Sequence, residues 1–284
     1  MAGKAKLRRG WWRAVLLAAV VLAGGCGGGE EAGFDDVTSN VRPTLPKCPV
    51  QGHLAADPHG VQRPGARTPE QYAFLEAQAD GCHPVRFNPC EPIHYVVSDQ
   101  MAPLGGARDI ATAFQQLSEA TGITFVNDGP SAEAAVTAFG RSPYQPDLYG
   151  QRWAPILIAW GHGQSVRLGP ENPGGGRPQR VGDAYVSGYL VLNVDAVTAE
   201  GEPLPSGFGP GATWGRVILH ELAHILGLGH VSDQRQLMFA ELGGQTGRAE
   251  FSAGDRLALR IIGKEGGCVT TPPPPTGPGP RPRP

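Results

Sequence analysis

The pattern H-E-x-x-H-x-x-G-x-x-H is formed by His220-Glu221-Leu222-Ala223-His224-Ile225-Leu226-Gly227-Leu228-Gly229-His230. Residues four apart lie on one face of a helix, so His220 and His224 can direct imidazole nitrogens at one ion. Gly227 can adopt the left-handed backbone conformation that ends a helix, and the turn would bring back His230 as a third ligand. Three neutral imidazoles suit zinc and leave its fourth position open, as catalytic zinc sites require. The pattern therefore predicts a site for one zinc ion (Zn2+), with Glu221 close to a water on that ion.

The residues around this pattern predict a buried helix. Apolar side chains occupy positions 217–219 before the first histidine and positions 222, 225 and 226 after it. The hydroxyl of Thr213 can cap the start of this helix, which should run to about Leu226. The alternative is a helix whose histidines are satisfied by hydrogen bonds in the core. A helix of that kind would not require Gly227, His230 or the methionine at position 238.

The stretch resembles the active-site motif of the metzincin metallopeptidases, which it matches at all five defining positions. The resemblance implies a zinc-dependent endopeptidase in which His220, His224 and His230 hold the metal and Glu221 is the general base. It also implies a methionine turn beneath the metal, for which the candidate is Met238, a short loop beyond the third histidine. The expected reaction is hydrolysis of a peptide bond by a water that the metal activates.

Within that family the chain is similar to the matrixins in its small size and its short closing helix. Val231 follows the third histidine, where typical matrixins have serine, and Ala240 stands where some metzincins have a tyrosine that joins the metal. The H-x-D loop that holds structural zinc and calcium in vertebrate matrixins is missing, so those ions are not carried over. His162 is interpreted as a loop histidine in solvent.

A non-catalytic function is the alternative to the peptidase. The protein could be a surface lipoprotein that uses the same scaffold to bind peptide or cell-wall polymer without cutting it. Glu221 argues against this alternative, because a module that only binds has no need of a general base.

The first 26 residues have the features of an export signal. An apolar run at 14–23, too short to be a comfortable membrane anchor, follows the basic residues Lys4, Lys6, Arg8, Arg9 and Arg13. The run ends in Leu22-Ala23-Gly24-Gly25-Cys26, which resembles the bacterial lipoprotein box. We therefore expect lipidation of Cys26 and a location on the outer face of the bacterial cell membrane. A simple cleaved signal peptide with a secreted product is the alternative.

The chain of 284 residues predicts one domain with tails. Residues 27–81 are interpreted as a flexible tether and N-terminal extension, 82–268 as the catalytic domain, and 269–284 as a disordered proline-rich tail. The formal net charge of −2 gives no indication of a nucleic-acid partner. The expected partners are a polypeptide substrate and, through the lipid anchor only, a membrane. We expect a monomer.

Four cysteines remain when Cys26 is set aside. An even number in an exported protein implies two disulfides, for which three pairings are possible. We favour Cys90 with Cys268, which would join the start of the catalytic domain to its end, and Cys48 with Cys82.

The hydrophobic pattern predicts an α/β or α+β fold with a twisted mixed sheet of about five strands. Strands are expected at 92–97, 123–126, 154–160, 184–187 and 189–194, with Gly188 as the turn between the last two. Residues 161–182 are interpreted as a loop rich in glycine and proline. Besides the active-site helix, we expect an amphipathic helix that ends at Gly122 and a C-terminal helix that follows Ser252.

This order of elements resembles the upper half of a metzincin catalytic domain, in which a twisted sheet covers the active-site helix. The resemblance implies an antiparallel edge strand that borders the cleft and pairs with an extended substrate. The candidate for this strand is formed by Asp183, Ala184, Tyr185, Val186 and Ser187.

Overall fold

The computed structural model of the protein describes residues 44–55, 71–241 and 246–276. The predicted export signal at 1–26, including Cys26, lies outside the described residues. The same is true of much of the predicted tether and of the last eight residues of the predicted tail. Within the described ranges, no helix combines the length and the apolar character needed to cross a membrane.

A mixed five-stranded sheet forms one layer of the fold. Its strands are β1 (Ile93–Ser98), β2 (Phe125–Pro130), β3 (Ile156–Gly161), β4 (Gly174–Val181) and β5 (Ala184–Asn193). The strand order is β2-β1-β3-β5-β4; the first four strands of that order are parallel, and β4 runs antiparallel to β5 at the edge. The predicted fold class, an α/β fold with a mixed sheet of about five strands, is confirmed at this level.

Helices cover the sheet and close the main hydrophobic core. They are α1 (Gly106–Thr121), α2 (Pro146–Tyr149), α3 (Gly163–Val166), α4 (Trp214–Leu226) and α5 (Ala253–Ile262). The main core lies between the sheet and helices α1 and α4, and α5 packs against α1. A smaller core on the other face includes Leu157 and Ala159 of β3 together with Ala138 and Val166. Because both faces of the sheet are covered, β3 is buried at all six positions.

The predicted helix ends are confirmed by local backbone geometry. Gly122 ends α1 in the left-handed conformation at φ 72°. Thr213 caps α4, where its hydroxyl accepts a backbone N–H of the first turn at 3.3 Å. Ser252 and Asp255 form a capping box at the start of α5. These signals depend on neighbouring residues only, which explains why they could be predicted.

Two predictions about the strands are wrong. Residues 161–182 were expected to form a loop, but they contain β4. Gly188 was expected to be a turn, but it lies inside β5, where it pairs with Pro178. Proline is tolerated in β4 because one side of an edge strand has no ladder to complete. A Cβ atom at Gly188 would lie 2.9 Å from the Ile225 side chain, so glycine is needed there for packing and not for a turn.

The compact domain begins earlier than predicted. Tyr72, Ala73 and Phe74 are buried in the main core, and Phe74 is completely inaccessible. The backbone of this segment pairs with the turn after α4: Gly229 N–H donates to the Ala73 carbonyl at 2.8 Å, and Leu75 N–H donates to that of Gly227 at 2.9 Å. The prediction of a flexible extension is therefore wrong for residues 71–81. Three apolar residues are too few to show a periodicity.

The predicted cysteine pairs are confirmed. Cys48 lies at disulfide distance from Cys82, with a Cα–Cα separation of 4.7 Å, and Cys90 from Cys268, with a separation of 5.5 Å. Two disulfides are typical of a protein in an extracellular or otherwise oxidising environment.

The beginning of the proline-rich tail is attached to the domain. The Trp153 indole N–H donates to the Pro272 carbonyl at 2.7 Å, and the Thr271 hydroxyl donates to Glu91 at 2.8 Å. The prediction of a disordered tail is therefore wrong for these first residues. Proline keeps its carbonyl as an acceptor, so a tail without helices or strands can still be held by side-chain donors.

Candidate metal centre

Helix α4 carries two of the three motif histidines, and the turn that ends this helix brings the third histidine back toward them. Gly227 is in the left-handed conformation at φ 110°. Leu228 N–H donates to the Ala223 carbonyl at 3.0 Å, which completes the turn. A Cβ atom at Gly227 would also lie 3.0 Å from the Tyr185 ring. The predicted role of this glycine is confirmed.

The three histidine side chains converge on one point. His224 Nε2 lies 3.0 Å from both His220 Nε2 and His230 Nε2, and the last two atoms are 3.2 Å apart. Three atoms at these separations can all lie about 2 Å from a common centre, which is the usual zinc–nitrogen distance. The group could therefore hold one metal ion, and its donors are of the type that zinc and other transition metals prefer.

Backbone carbonyls orient two of these rings. His220 Nδ1 lies 2.9 Å from the Leu237 carbonyl oxygen, and His224 Nδ1 lies 2.7 Å from that of Leu228. A carbonyl oxygen only accepts hydrogen bonds, so each Nδ1 carries the proton. Each Nε2 then keeps its lone pair for the common centre, as metal-binding histidines require.

Burial keeps the three imidazoles neutral. It lowers the pKa of His224 to about 3, that of His220 well below its ordinary value, and that of His230 in the same direction. For His220 and His224, repulsion from the neighbouring rings adds to the effect of burial. Neutral imidazole is the form that binds a metal ion.

Glu221 is buried beside the histidines, and its carboxylate has one backbone donor. Gly176 N–H of β4 donates to Glu221 Oε2 at 2.7 Å. Burial raises the pKa of Glu221 to about 7, while this hydrogen bond acts in the opposite direction. A carboxyl group with such a pKa can take up and release a proton near neutral pH.

The contact between β4 and α4 depends on the absence of a side chain at Gly176. A Cβ atom there would lie 2.4 Å from the Glu221 carbonyl oxygen and 3.2 Å from Ile225 Cγ1. At Gly175 a Cβ atom would meet nothing within 4 Å. The glycine run that resembled a loop therefore brings a strand edge within hydrogen-bonding distance of Glu221. Sequence reasoning missed this role of Gly176, although the run Gly174-Gly175-Gly176 was the signal for it.

A buried carboxylate supports the segment that contains Met238. Asp255 Oδ2 accepts the Leu237 N–H at 2.7 Å, and its Oδ1 accepts the Met238 N–H at 3.4 Å. Met238 is buried, and its carbonyl accepts the Val231 N–H at 3.0 Å, directly after His230. The sequence predicted only the helix that follows Ser252, and this role of Asp255 was missed.

The histidines and Glu221 line an open cavity of about 1040 Å³. One wall of this cavity is formed by β4 from Gly174 to Pro178. Leu75 and Glu76 of the N-terminal segment also line it. The site is therefore accessible to a large ligand, and β4 offers a strand edge along it.

The predicted substrate strand is not the edge strand. Asp183 lies in the turn between β4 and β5, whereas Ala184, Tyr185, Val186 and Ser187 begin β5, which is buried at all ten positions. β5 pairs with β4 along its length, so β4 is the strand that borders the cavity. The apolar sequence of β5 favours a position inside the sheet, and this leaves the glycine-rich strand outside.

Other histidines lie near acidic residues, among them His162 at an exposed position and His94 at a half-buried one. His162 Nδ1 lies 2.9 Å from Asp195 Oδ1, and His94 Nδ1 lies 2.7 Å from Asp128 Oδ1. In the part of the chain that the structure describes, no second group of three His, Cys, Asp or Glu side chains is close enough to hold a metal ion.

No protein-family model matches this chain, and neither does any curated protein. The chemistry of the site must therefore be deduced from its own residues.

Proposed function

We propose that this protein is a zinc-dependent endopeptidase of the metzincin type, similar to the matrixins. The main support is the convergence of three imidazole Nε2 atoms, all within 3.2 Å of one another, beside a buried carboxylate. An open cavity and a free strand edge lie next to these groups, as a polypeptide substrate requires.

The three histidines would hold the metal through Nε2. A bound zinc ion supplies a Lewis acid that polarises a peptide carbonyl and lowers the pKa of water. The carbonyls of Leu237 and Leu228 keep two of the rings in the required tautomer. Met238 would support the site from below by packing.

Glu221 would move the proton. Gly176 N–H holds Oε2, and we assign Oε1 as the atom that takes a proton from the attacking water while the water oxygen bonds to the peptide carbon. Oε1 then gives this proton to the leaving nitrogen as the carbon–nitrogen bond breaks, which restores the carboxylate. Burial, which raises the pKa of this carboxyl group in the metal-free protein, favours its uptake of a proton.

The substrate would lie extended along β4. A polypeptide can add itself to a free sheet edge through backbone hydrogen bonds, and side-chain pockets then select its sequence. The site would be exported, either on a lipoprotein anchored through Cys26 or on a secreted protein. The two disulfides support an oxidising compartment.

The test compares cleavage of an unfolded protein by the zinc-loaded wild type, by Glu221→Ala and by Glu119→Ala at an exposed position of α1. We expect Glu221→Ala to retain zinc and to lose about 10²- to 10⁴-fold in kcat/KM, because the proton acceptor is removed. Glu119→Ala should cut like the wild type, and a chelator should abolish cleavage until zinc is returned.

Equal cleavage by the wild type and Glu221→Ala would contradict the proposal. If the zinc-loaded wild type binds peptide or cell-wall polymer and cuts nothing, the result would support the non-catalytic lipoprotein instead.

A further inference from the structure

Arg177 carries an unpaired charge on the edge strand β4. Its side chain is exposed, lines the cavity that contains Glu221, and makes no hydrogen bond or ion pair with the residues that the structure describes. Its strand neighbour Arg180 is paired instead, with Glu76 at 2.8 Å and Asp183 at 2.9 Å. Among the described residues that line the cavity, Arg177 is the only arginine or lysine. Its charge is therefore available to a ligand.

Arg177 directly follows Gly176, whose N–H contacts the carboxylate proposed to move the proton. Because Gly176 N–H contacts Glu221, the peptide bond to be cut should lie beside Gly176 when a substrate extends along β4. Side chains alternate between the two faces of a strand. Position 176 faces α4, so Arg177 faces the opposite side of the sheet.

Aromatic rings lie next to Arg177 on that side. Arg177 pairs across the sheet with Tyr189 of β5, and the Tyr189 ring packs edge-on against Phe139, with centroids 5.8 Å apart. Both rings line the same cavity. They provide an apolar surface for the methylene groups of a side chain whose charged end reaches Arg177.

We propose that Arg177 selects polypeptides that carry an acidic side chain close to the bond that is cut. This side chain would belong to the part of the substrate that extends over residues 177–181 of β4. This proposal rests on the endopeptidase function proposed above. A guanidinium group presents a fork of N–H donors that matches a carboxylate, so it discriminates glutamate or aspartate from neutral and basic residues. Neighbouring strands are about 4.8 Å apart, which places a substrate side chain on the same face within reach of Arg177.

The test uses peptides that share one cleavable sequence and carry Glu, Gln or Lys at successive positions on either side of the cut bond. Their ends are acetylated and amidated, so that only side-chain carboxylates are present. For the wild type we expect kcat/KM for Glu to exceed that for Gln by about two- to fivefold at one or two positions, the effect of one solvent-accessible ion pair. The preference should shrink in about 1 M salt, where charges are screened beyond about 3 Å.

Charge reversal provides the control. Arg177→Glu should favour Lys over Gln at the same positions, and Arg177→Gln should show no charge preference. Arg108→Glu makes the same change in net charge at an exposed position of α1 and should keep the wild-type preference. Equal kcat/KM for the three wild-type peptide sets, or a preference that Arg177→Glu leaves unchanged, would overturn the proposal.

Binding separates this proposal from the endopeptidase proposal. Fluorescence anisotropy measures the affinity of the same peptides for Glu221→Ala and for the double variant Glu221→Ala/Arg177→Glu. If the wild type cuts nothing, and Arg177→Glu still reverses a preference for Glu peptides in binding, the role of Arg177 stands and only the peptidase function falls. Equal binding of Glu, Gln and Lys peptides would remove the role of Arg177.

Discussion

At the scale of single residues, neutrality allows three histidines to share one small volume. Burial lowers the pKa of each ring, and the carbonyls of Leu237 and Leu228 accept hydrogen bonds from the Nδ1–H groups of His220 and His224. The Nε2 atoms of all three rings converge on a common centre, an arrangement that favours a cation between them. The exposed His162 lacks these features, because its ring is paired with one carboxylate and is largely in solvent.

Removal of the third histidine tests this difference. We expect His230→Ala to reduce zinc affinity by more than about 100-fold, because a direct ligand is worth at least as much as the groups that orient it. His162→Ala should bind zinc like the wild type. Calorimetric titration of metal-free protein measures both affinities, and equal affinity for wild type and His230→Ala would show that the cluster is not the binding site.

Asp255 should give stability an unusual pH dependence. Burial raises its pKa to about 6 from an ordinary value of 3.8, against the opposing effect of three backbone donors. Between those values the folded protein binds more protons than the unfolded chain, so the contribution of Asp255 to stability falls as the pH rises. The slope is at most about 1.4 kcal/mol per pH unit.

Urea unfolding of the metal-free protein between about pH 4 and pH 7 measures this slope. The stability of the wild type relative to Asp255→Asn should decrease up to about pH 6 and then level off. Asp147→Asn, at an exposed position of α2, controls for the chemical change. A difference that grows with pH would mean that the folded state favours the ionised form.

At the scale of elements, the site depends on how closely β4 approaches α4. Gly176 allows the edge strand to donate a hydrogen bond to Glu221, and Gly227 ends the helix so that His230 returns. At both positions a side chain would collide with a neighbouring group. The first avoids a clash with a helix carbonyl, and the second also supplies a left-handed backbone conformation.

Gly176→Ala should damage both stability and activity. The new methyl group would lie 2.4 Å from the Glu221 carbonyl oxygen, so β4 must move away from α4. Overpacking of this kind costs about 1–3 kcal/mol. A displaced carboxylate should lower kcat/KM by at least about 10-fold, since misplacement by about 1 Å can cost about 100-fold.

Gly175→Ala is the matched control, because its methyl group would enter open space. We expect its stability to change by less than about 1 kcal/mol and its activity to remain. Thermal unfolding and peptide cleavage of the two variants measure the difference. Equal behaviour of both would show that the close approach of β4 is not required.

At the scale of the whole molecule, disulfides join both the first and the last described segments to the domain. Cys90 and Cys268 are 178 residues apart, and Cys48 and Cys82 are 34 apart. The second pair closes a segment that includes Phe74, which packs under the turn before His230. The N-terminal segment is therefore part of the structure that supports the site.

The two disulfides should stabilise the fold to different degrees. A longer closed loop removes more entropy from the unfolded chain, which gives about 5 kcal/mol for the Cys90–Cys268 pair and about 4 kcal/mol for the Cys48–Cys82 pair. Paired Cys→Ser variants, compared by urea unfolding, measure these contributions. A larger loss from the shorter loop would contradict the loop-entropy argument and indicate that local packing around Phe74 dominates.

The local parts of this protein follow from its sequence. The spacing of His220 and His224, the turn at Gly227, the cap at Thr213 and the box at Ser252 all depend on residues within one or two helical turns. Their geometry therefore depends little on how the rest of the chain folds around these helices. The cysteine pairs were also predicted, but only as the favoured choice among three possible pairings.

The position of β4 in the sheet could not be predicted from neighbouring residues. Gly174, Gly175 and Gly176 have no side chains to show a strand pattern, and their use depends on the distance to a helix about 45 residues later. The apolar character of Phe74 was compatible with a short helix and did not identify it as a core residue, because its core contacts come from distant parts of the chain. The sequence by itself determined the three histidines that could hold a metal ion and the helix that carries two of them. Only the tertiary structure decided which strand lies at the edge of the cavity, because strand pairing is a long-range choice among backbone edges that all offer the same donors and acceptors.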